Sequence, residues 1–142
     1  MKKKVAIIGS GIAGLTLASL LRTNSNFEFI VYEKGEILNL DEGFGIQLSA
    51  NSVFILNKIG FNQLSINEKY HPSKLDFYSM NCNKICDLDL TPFNSTNNKY
   101  TTLKRSTLIK FLNKFHVCIN EKKGSYYWVG HSRTYFGKSF KS

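Results

Sequence analysis

The sequence lacks the spacings that hold metal ions or disulfide frameworks. Its three cysteines, Cys82, Cys86 and Cys118, form no CxxC pair, and its three histidines are not spaced with them as zinc ligands. We therefore interpret the cysteines as structural thiols and predict no metal site.

Long apolar runs are also missing. No stretch approaches the roughly 18 consecutive apolar residues of a membrane-spanning helix. The apolar stretch near the N-terminus is interrupted by glycines from residue 9 onward, and Val5 to Ile8 is too short for the apolar part of a signal peptide. The sequence predicts a cytoplasmic protein without an integral membrane segment.

Arginine is scarce although the chain is basic, with a net charge of +9. Only Arg22, Arg105 and Arg133 offer the planar donor that binds anions in a bidentate manner. The lysines are spread along the chain, which favours a solvated basic surface over a nucleic-acid site.

At 142 residues the chain can bury one core, so we expect one domain or part of one.

The first 33 residues have the changes of period expected for a strand, a helix and a second strand. Lys4–Ile8 is a short β-branched run typical of a buried parallel strand, Gly11–Arg22 has apolar residues at helical spacing, and Phe27–Tyr32 is again extended. A crossover of this kind makes the two strands parallel, and the connection between them is right-handed. The predicted fold class is therefore α/β, beginning with a Rossmann-like βαβ unit.

A GxGxxG motif lies at the predicted junction of the first strand and the helix. Gly9 permits a sharp turn, Gly11 lets the backbone approach a pyrophosphate, and Gly14 lets the helix pack close to the strand. Ile12 and Ala13 begin the helix, whose unpaired N–H groups attract phosphate. The alternative is that these glycines serve packing only.

Glu33 ends the second strand at the position where dinucleotide-binding folds place a ribose-binding acid. Its carboxylate would accept hydrogen bonds from the adenosine ribose and would repel a 2′-phosphate. We assign Glu33, with its neighbour Lys34, to the cofactor site.

Further elements are predicted between residues 43 and 114, and they do not continue the regular alternation of strand and helix. They are an extended segment at Gly43–Leu48, a helix from an N-cap at Asn51 to a C-cap at Gly60, a hairpin of Lys74–Met80 and Lys84–Leu90 around Asn81–Asn83, a polar loop at Pro92–Asn98, and a helix at Arg105–Lys114. The hairpin predicts a separate sheet. Asp87 and Asp89 would share one face of its strand, and we attribute them to alternating burial or to solvent exposure rather than to catalysis.

Residues 119–142 have neither helical nor strand periodicity, and they combine six aromatic and five basic residues with the single acid Glu121. An interaction tail is one interpretation. The loss of pattern where a strand is expected instead favours a truncated reading frame. Stacking of the tail on nucleic acid is disfavoured because no predicted sheet presents it.

From Lys3 to about Phe115 the chain resembles the FAD-dependent aromatic-ring hydroxylases, which include p-hydroxybenzoate, salicylate and ubiquinone-biosynthesis hydroxylases. Besides the glycine motif and Glu33, the resemblance rests on the segment from Gly43 to Asn51 and on Arg105 with its following leucines. It implies that Gly45 and Gln47 lie beside the flavin. It also implies that Arg105 reaches the FAD phosphates or ribityl chain.

The resemblance implies a domain organisation and a reaction. Residues 1–118 would form a partial FAD-binding domain, in which 74–90 contribute to an interleaved substrate-side sheet, and 119–142 would be a non-matching basic aromatic tail. The family reduces FAD with NAD(P)H and hydroxylates a small aromatic or related organic substrate with dioxygen.

Nothing after Phe115 matches the family's later cofactor motifs, so we expect an incomplete domain that is not competent for coupled hydroxylation alone. The alternatives are an NAD-binding dehydrogenase-type unit and a non-catalytic nucleotide-binding remnant.

Overall fold

The computed structural model describes residues 1–33, 44–94 and 97–114, together with the backbone of Tyr126–Val129. The chain divides into two compact units. The first comprises Met1–Leu38 and Leu112–Ser142, and the second comprises Asn39–Phe111. The described helices include none that is long and apolar enough to cross a membrane.

The first unit begins with the predicted βαβ arrangement. Strand β1 (Lys3–Ile8), helix α1 (Ile12–Arg22) and strand β2 (Phe27–Glu33) follow one another along the chain. β1 and β2 are parallel, in register from Lys3 opposite Phe27 to Ile8 opposite Tyr32. The α/β fold class and the parallel crossover predicted from the sequence are confirmed.

The core of this unit lies on one face of the β1–β2 sheet. Ile7, Phe29 and Val31 are buried there with Ala18 of α1. Side chains alternate between faces along a strand, and Ile8 accordingly is 81% exposed on the opposite face. The prediction that β1 is a fully buried strand is therefore wrong, because its apolar residues are not all directed toward α1.

The second unit alternates short strands, helices and 3-10 turns. In chain order these are β3 (Gly45–Leu48), α2 (Ala50–Asn57), 3-10 turns at Phe61–Gln63 and Ile66–Glu68, β4 (Lys74–Tyr78), β5 (Lys84–Asp89), a 3-10 turn at Thr91–Asn94, β6 (Thr101–Lys104) and α3 (Arg105–Asn113). The second unit ends at Phe111, within α3. The predicted polar loop at 92–98 thus begins as a 3-10 turn.

Strands β3 and β6 pair antiparallel, from Gly45 opposite Lys104 to Leu48 opposite Thr101. One face of this pair is buried through Leu48 and Leu103. The sequence pattern predicted β3 but not β6.

Helix α2 packs through Val53 and Leu56, which are both buried. Its N-cap is Ser49 rather than the predicted Asn51, which instead lies in the first turn and accepts a hydrogen bond from the backbone N–H of Ser52 at 2.9 Å. The C-cap of α2 is Lys58 rather than the predicted Gly60. Gly60 lies two residues further on, where its φ of 90° precedes the 3-10 turn at Phe61–Gln63.

The predicted hairpin is confirmed as the antiparallel pair β4–β5. One side carries a charge cluster formed by Lys74, Asp76, Lys84 and Asp87, in which Lys84 Nζ lies 2.8 Å from Asp76 and 2.7 Å from Asp87. Hydrogen bonds from the two lysines lower the pKa of the Asp87 carboxyl to about 2. Asp87 and Asp89 are both exposed.

The third strand of the first unit comes from the segment in which the sequence has neither helical nor strand periodicity. Strand β7 (Tyr126–Val129) pairs antiparallel with β2, from Ile30 opposite Val129 to Glu33 opposite Tyr126. β2 is therefore paired on both edges. The prediction that 119–142 contain no strand is wrong at these four residues, and the rest of that segment lies outside the described residues.

Candidate dinucleotide-binding site

Gly9 turns the chain from β1 toward α1. Its φ of 95° lies in the left-handed region that side chains rarely adopt. Its N–H donates a hydrogen bond to the carbonyl oxygen of Tyr32 at 2.6 Å. The beginning of the glycine loop is thereby attached to the end of β2.

Gly14 lies where α1 approaches the loop most closely. A Cβ atom there would be 2.0 Å from the carbonyl oxygen of Gly9 and 3.3 Å from Cγ2 of Ile7. The nearest obstacle is backbone, which cannot turn aside as a side chain can. The close packing predicted for this glycine is confirmed.

Gly11 has the opposite surroundings. It is the N-cap of α1, with extended backbone at φ −71° and ψ −176°, and its carbonyl accepts the helix's first hydrogen bond from Leu15 at 2.9 Å. A Cβ atom added at Gly11 would meet no heavy atom within 4 Å. This space lies at a helix N-terminus, where orphan N–H groups and the helix dipole favour an anion.

The first turn of α1 begins with Ile12, which is half-buried, and Ala13, which is exposed. This turn contains no acidic residue, and no side chain makes a capping hydrogen bond at Gly11. Within residues 1–33, then, no carboxylate of the helix's own first turn competes with a bound phosphate for its N–H groups.

Ser10 and Glu33 connect the glycine loop to the acid at the end of β2. The Glu33 Oε2 atom accepts hydrogen bonds from the Ser10 N–H at 2.6 Å and from the Ser10 hydroxyl at 2.9 Å. Ser10 is only 8% exposed. The structure thus brings the predicted acid to the predicted loop.

Ser10 is a functional candidate that the sequence pattern did not predict. The only available signal was a polar residue between the first two glycines of the motif. Lys34, which was assigned to the same site, lies outside the described residues.

The remaining predicted site residues belong to the second unit. Gly45 is opposite Lys104, and the backbone N–H of Arg105 donates to the carbonyl oxygen of Phe44 at 3.1 Å, so Gly45 and Arg105 lie at the same end of the β3–β6 pair. Gln47 is exposed on β3, and its Oε1 accepts a hydrogen bond from the Tyr100 hydroxyl at 2.7 Å.

The parallel βαβ unit, the glycine loop and the acid at the end of β2 together have the arrangement of a Rossmann-like unit. Comparison with known proteins agrees with this class. Residues 7–40 match the family model described as an NAD(P)-binding Rossmann-like domain.

Sequence comparison also narrows the resemblance to monooxygenases. The chain is 48% and 47% identical over 60 residues to two 3-amino-4-hydroxybenzoate 2-monooxygenases of Streptomyces platensis, and 42% identical over 57 residues to one of Streptomyces cremeus. The matches cover 40 to 42% of this chain and 14% of the length of each relative.

Solved structures share the fold. A tetrameric 2-methyl-3-hydroxypyridine-5-carboxylic acid oxygenase superposes with a TM-score of 0.64 at 23% identity, covering 80% of this chain and 28% of that one. Klebsiella pneumoniae HpxO complexed with FAD and uric acid superposes with a TM-score of 0.59 at 19% identity, covering 80% and 28%. The chain therefore resembles, in sequence and in fold, FAD-dependent monooxygenases of the aromatic-ring hydroxylase type.

Proposed function

We propose that the first unit binds the ADP part of FAD for a flavin-dependent monooxygenase. The observation that carries this proposal is the arrangement at the glycine loop. The space beside Gly11 would receive the pyrophosphate at the N-terminus of α1, and the Glu33 carboxylate, held by Ser10 of the same loop, would accept the ribose hydroxyls.

Two observations favour FAD over a nicotinamide dinucleotide. The relatives with the highest identities quoted above are monooxygenases, and HpxO, which shares the fold, is complexed with FAD. An acid at position 33 is also unfavourable for the 2′-phosphate of NADP.

NAD binding remains the second candidate, because the matching family model is described as NAD(P)-binding. A flavin absorbance change separates the two candidates directly.

Further residues are proposed for the rest of the cofactor from the sequence resemblance. We propose that Gly45 and Gln47 lie beside the flavin ring, and that Arg105 contacts the phosphates or the ribityl chain. A guanidinium suits that role because it donates two parallel hydrogen bonds to an anion. Lys34 is proposed as a further cofactor-binding residue on the sequence alone.

The hairpin β4–β5 is proposed as part of a substrate-side sheet, within an FAD-binding domain over residues 1–118 and followed by a tail at 119–142. FAD would supply the oxygen chemistry after reduction by NAD(P)H, with a small aromatic or related organic compound as substrate. We propose FAD, NAD(P)H and this substrate as partners. We also propose that residues 1–142 alone do not couple FAD reduction to hydroxylation. The cytoplasmic location stays a prediction from the sequence.

The decisive experiment is a titration of residues 1–142 with FAD, followed by flavin fluorescence and by absorbance between about 350 and 500 nm. We expect saturable binding that is weakened at least tenfold by Glu33→Ala. Glu28→Ala is the matched control, because it removes an exposed acid from the same strand.

Folded protein without a flavin response would contradict the proposal. If such protein still bound NAD, the second candidate would replace the first. Binding of ADP-ribose with neither a flavin response nor NAD(P)H oxidation would instead favour a non-catalytic nucleotide-binding unit.

A further inference from the structure

Ser10 makes two hydrogen bonds to a single oxygen atom of Glu33. Its backbone N–H and its hydroxyl lie 2.6 Å and 2.9 Å from Oε2. The backbone bond can be made by any residue except proline, whereas the second bond requires a hydroxyl. The side chain at position 10 therefore adds a hydrogen bond to Glu33 that the GxGxxG pattern does not require.

Two donors on one oxygen restrict how the carboxylate can turn. A glutamate side chain has three rotatable bonds, and fixing them in the free protein removes an entropy cost that a ligand would otherwise meet. Hydrogen bonds to an ionised carboxylate are also stronger than those between neutral groups. Because Ser10 is nearly buried, water competes little for these bonds.

We infer that the Ser10 hydroxyl is a positioning group, which holds the Glu33 carboxylate in place for the 2′- and 3′-hydroxyls of an adenosine ribose. This inference rests on the proposed function and deepens it. Ser10 acts through Glu33, and the ligand class it favours is an adenine nucleotide with both ribose hydroxyls free.

A merely structural role for Ser10 makes a different prediction, and Ser19 provides the comparison. Ser19 is also buried in the first unit, and its hydroxyl donates to the carbonyl oxygen of Leu15 at 2.8 Å, within α1. Loss of the Ser19 hydroxyl removes a buried hydrogen bond without touching Glu33. Ser19→Ala is thus a matched control for Ser10→Ala.

The test compares two ligands on the full chain. Binding of ADP and of 2′,3′-dideoxy-ADP is measured by calorimetry for the parent protein, Ser10→Ala, Ser19→Ala, Glu33→Ala and the double variant Ser10→Ala/Glu33→Ala. We expect Ser10→Ala to weaken ADP about five- to tenfold and dideoxy-ADP by less than about twofold. Ser19→Ala should leave the ratio of the two affinities unchanged.

The double variant shows whether Ser10 acts through Glu33. We expect Ser10→Ala to have no further effect on ADP binding once Glu33 is replaced by Ala, because no acceptor oxygen is then left for Ser10 to position. Equal weakening of both ligands by Ser10→Ala, or additive effects in the double variant, would overturn the inference and leave the proposed function standing. Failure of the folded parent protein to bind either ligand would overturn both.

Discussion

A Cβ atom placed on Gly14 would lie 2.0 Å from the carbonyl oxygen of Gly9. Two glycines five residues apart in the sequence are thus in direct contact across the strand–helix junction. Gly11, between them, faces open space instead. The motif therefore contains glycines with separable purposes, and substitutions can tell them apart.

Gly14→Ala tests the packing role. We expect a loss of about 2–4 kcal/mol in the free energy of unfolding, because a methyl group there must displace backbone. Urea unfolding followed by circular dichroism measures it. A stability equal to that of the parent protein would show that α1 can move away from β1 at no cost.

Gly11→Ala tests the ligand role. The backbone conformation suits alanine and no atom lies within 4 Å, so the loss of stability should be about 1 kcal/mol or less, which reflects the poorer N-cap. Binding of FAD should fall at least tenfold, since the methyl group would occupy the space assigned to the pyrophosphate. Unchanged FAD affinity in folded Gly11→Ala protein would argue against that assignment.

The hairpin charge cluster predicts a dependence of stability on pH. The pKa of Asp87 is lowered from 3.8 to about 2 in the folded protein. The contribution of Asp87 to the free energy of unfolding is therefore fully present above about pH 4 and is lost as the pH falls toward 2. Urea midpoints between pH 5 and pH 2 should show the parent protein losing more stability than Asp87→Asn.

The control for this experiment is Glu68→Gln, which removes an exposed acid from the same unit outside the hairpin. We expect its midpoints to follow those of the parent protein over the interval in which Asp87 titrates. A parallel course for parent and Asp87→Asn proteins would mean that the cluster does not stabilise the fold.

Phe61 tests the core of the second unit. It is 1% exposed and meets Phe111 edge to face, with ring centroids 5.5 Å apart. Phe61→Ala should cost about 3–5 kcal/mol through lost burial and the cavity it leaves. Phe54→Ala, which removes a 51% exposed ring from α2, should cost far less in the same unfolding assay. Similar losses for the two variants would contradict this description of the core.

The local sequence predicted those elements in which the pattern of apolar residues extends over enough positions to be recognised. The βαβ unit, the hairpin and α3 belong to this group. β6 was missed because its four residues, two of them threonine, become a strand only by pairing with β3, which is distant in sequence. β7 was missed for the same reason, since its partner is β2.

The site was predictable to a similar extent. Gly9, Gly14 and Glu33 could be identified from motif and spacing, whereas the role of Ser10 depends on a carboxylate 23 residues away in sequence. The choice between Ser49 and Asn51 as N-cap of α2 also lay beyond local pattern, because both residue types are good caps and they are two positions apart.

The pairing of β2 with β7 has a consequence for synthesis on the ribosome. β1, α1 and β2 emerge early, but the strand that occupies the second edge of β2 emerges only after the whole second unit. At cellular translation rates, residues 34–125 take on the order of 5–20 s to be made. During that interval the edge lacks its native partner, so nascent chains on neighbouring ribosomes can pair with it, and the translation speed of the second unit governs how often they do.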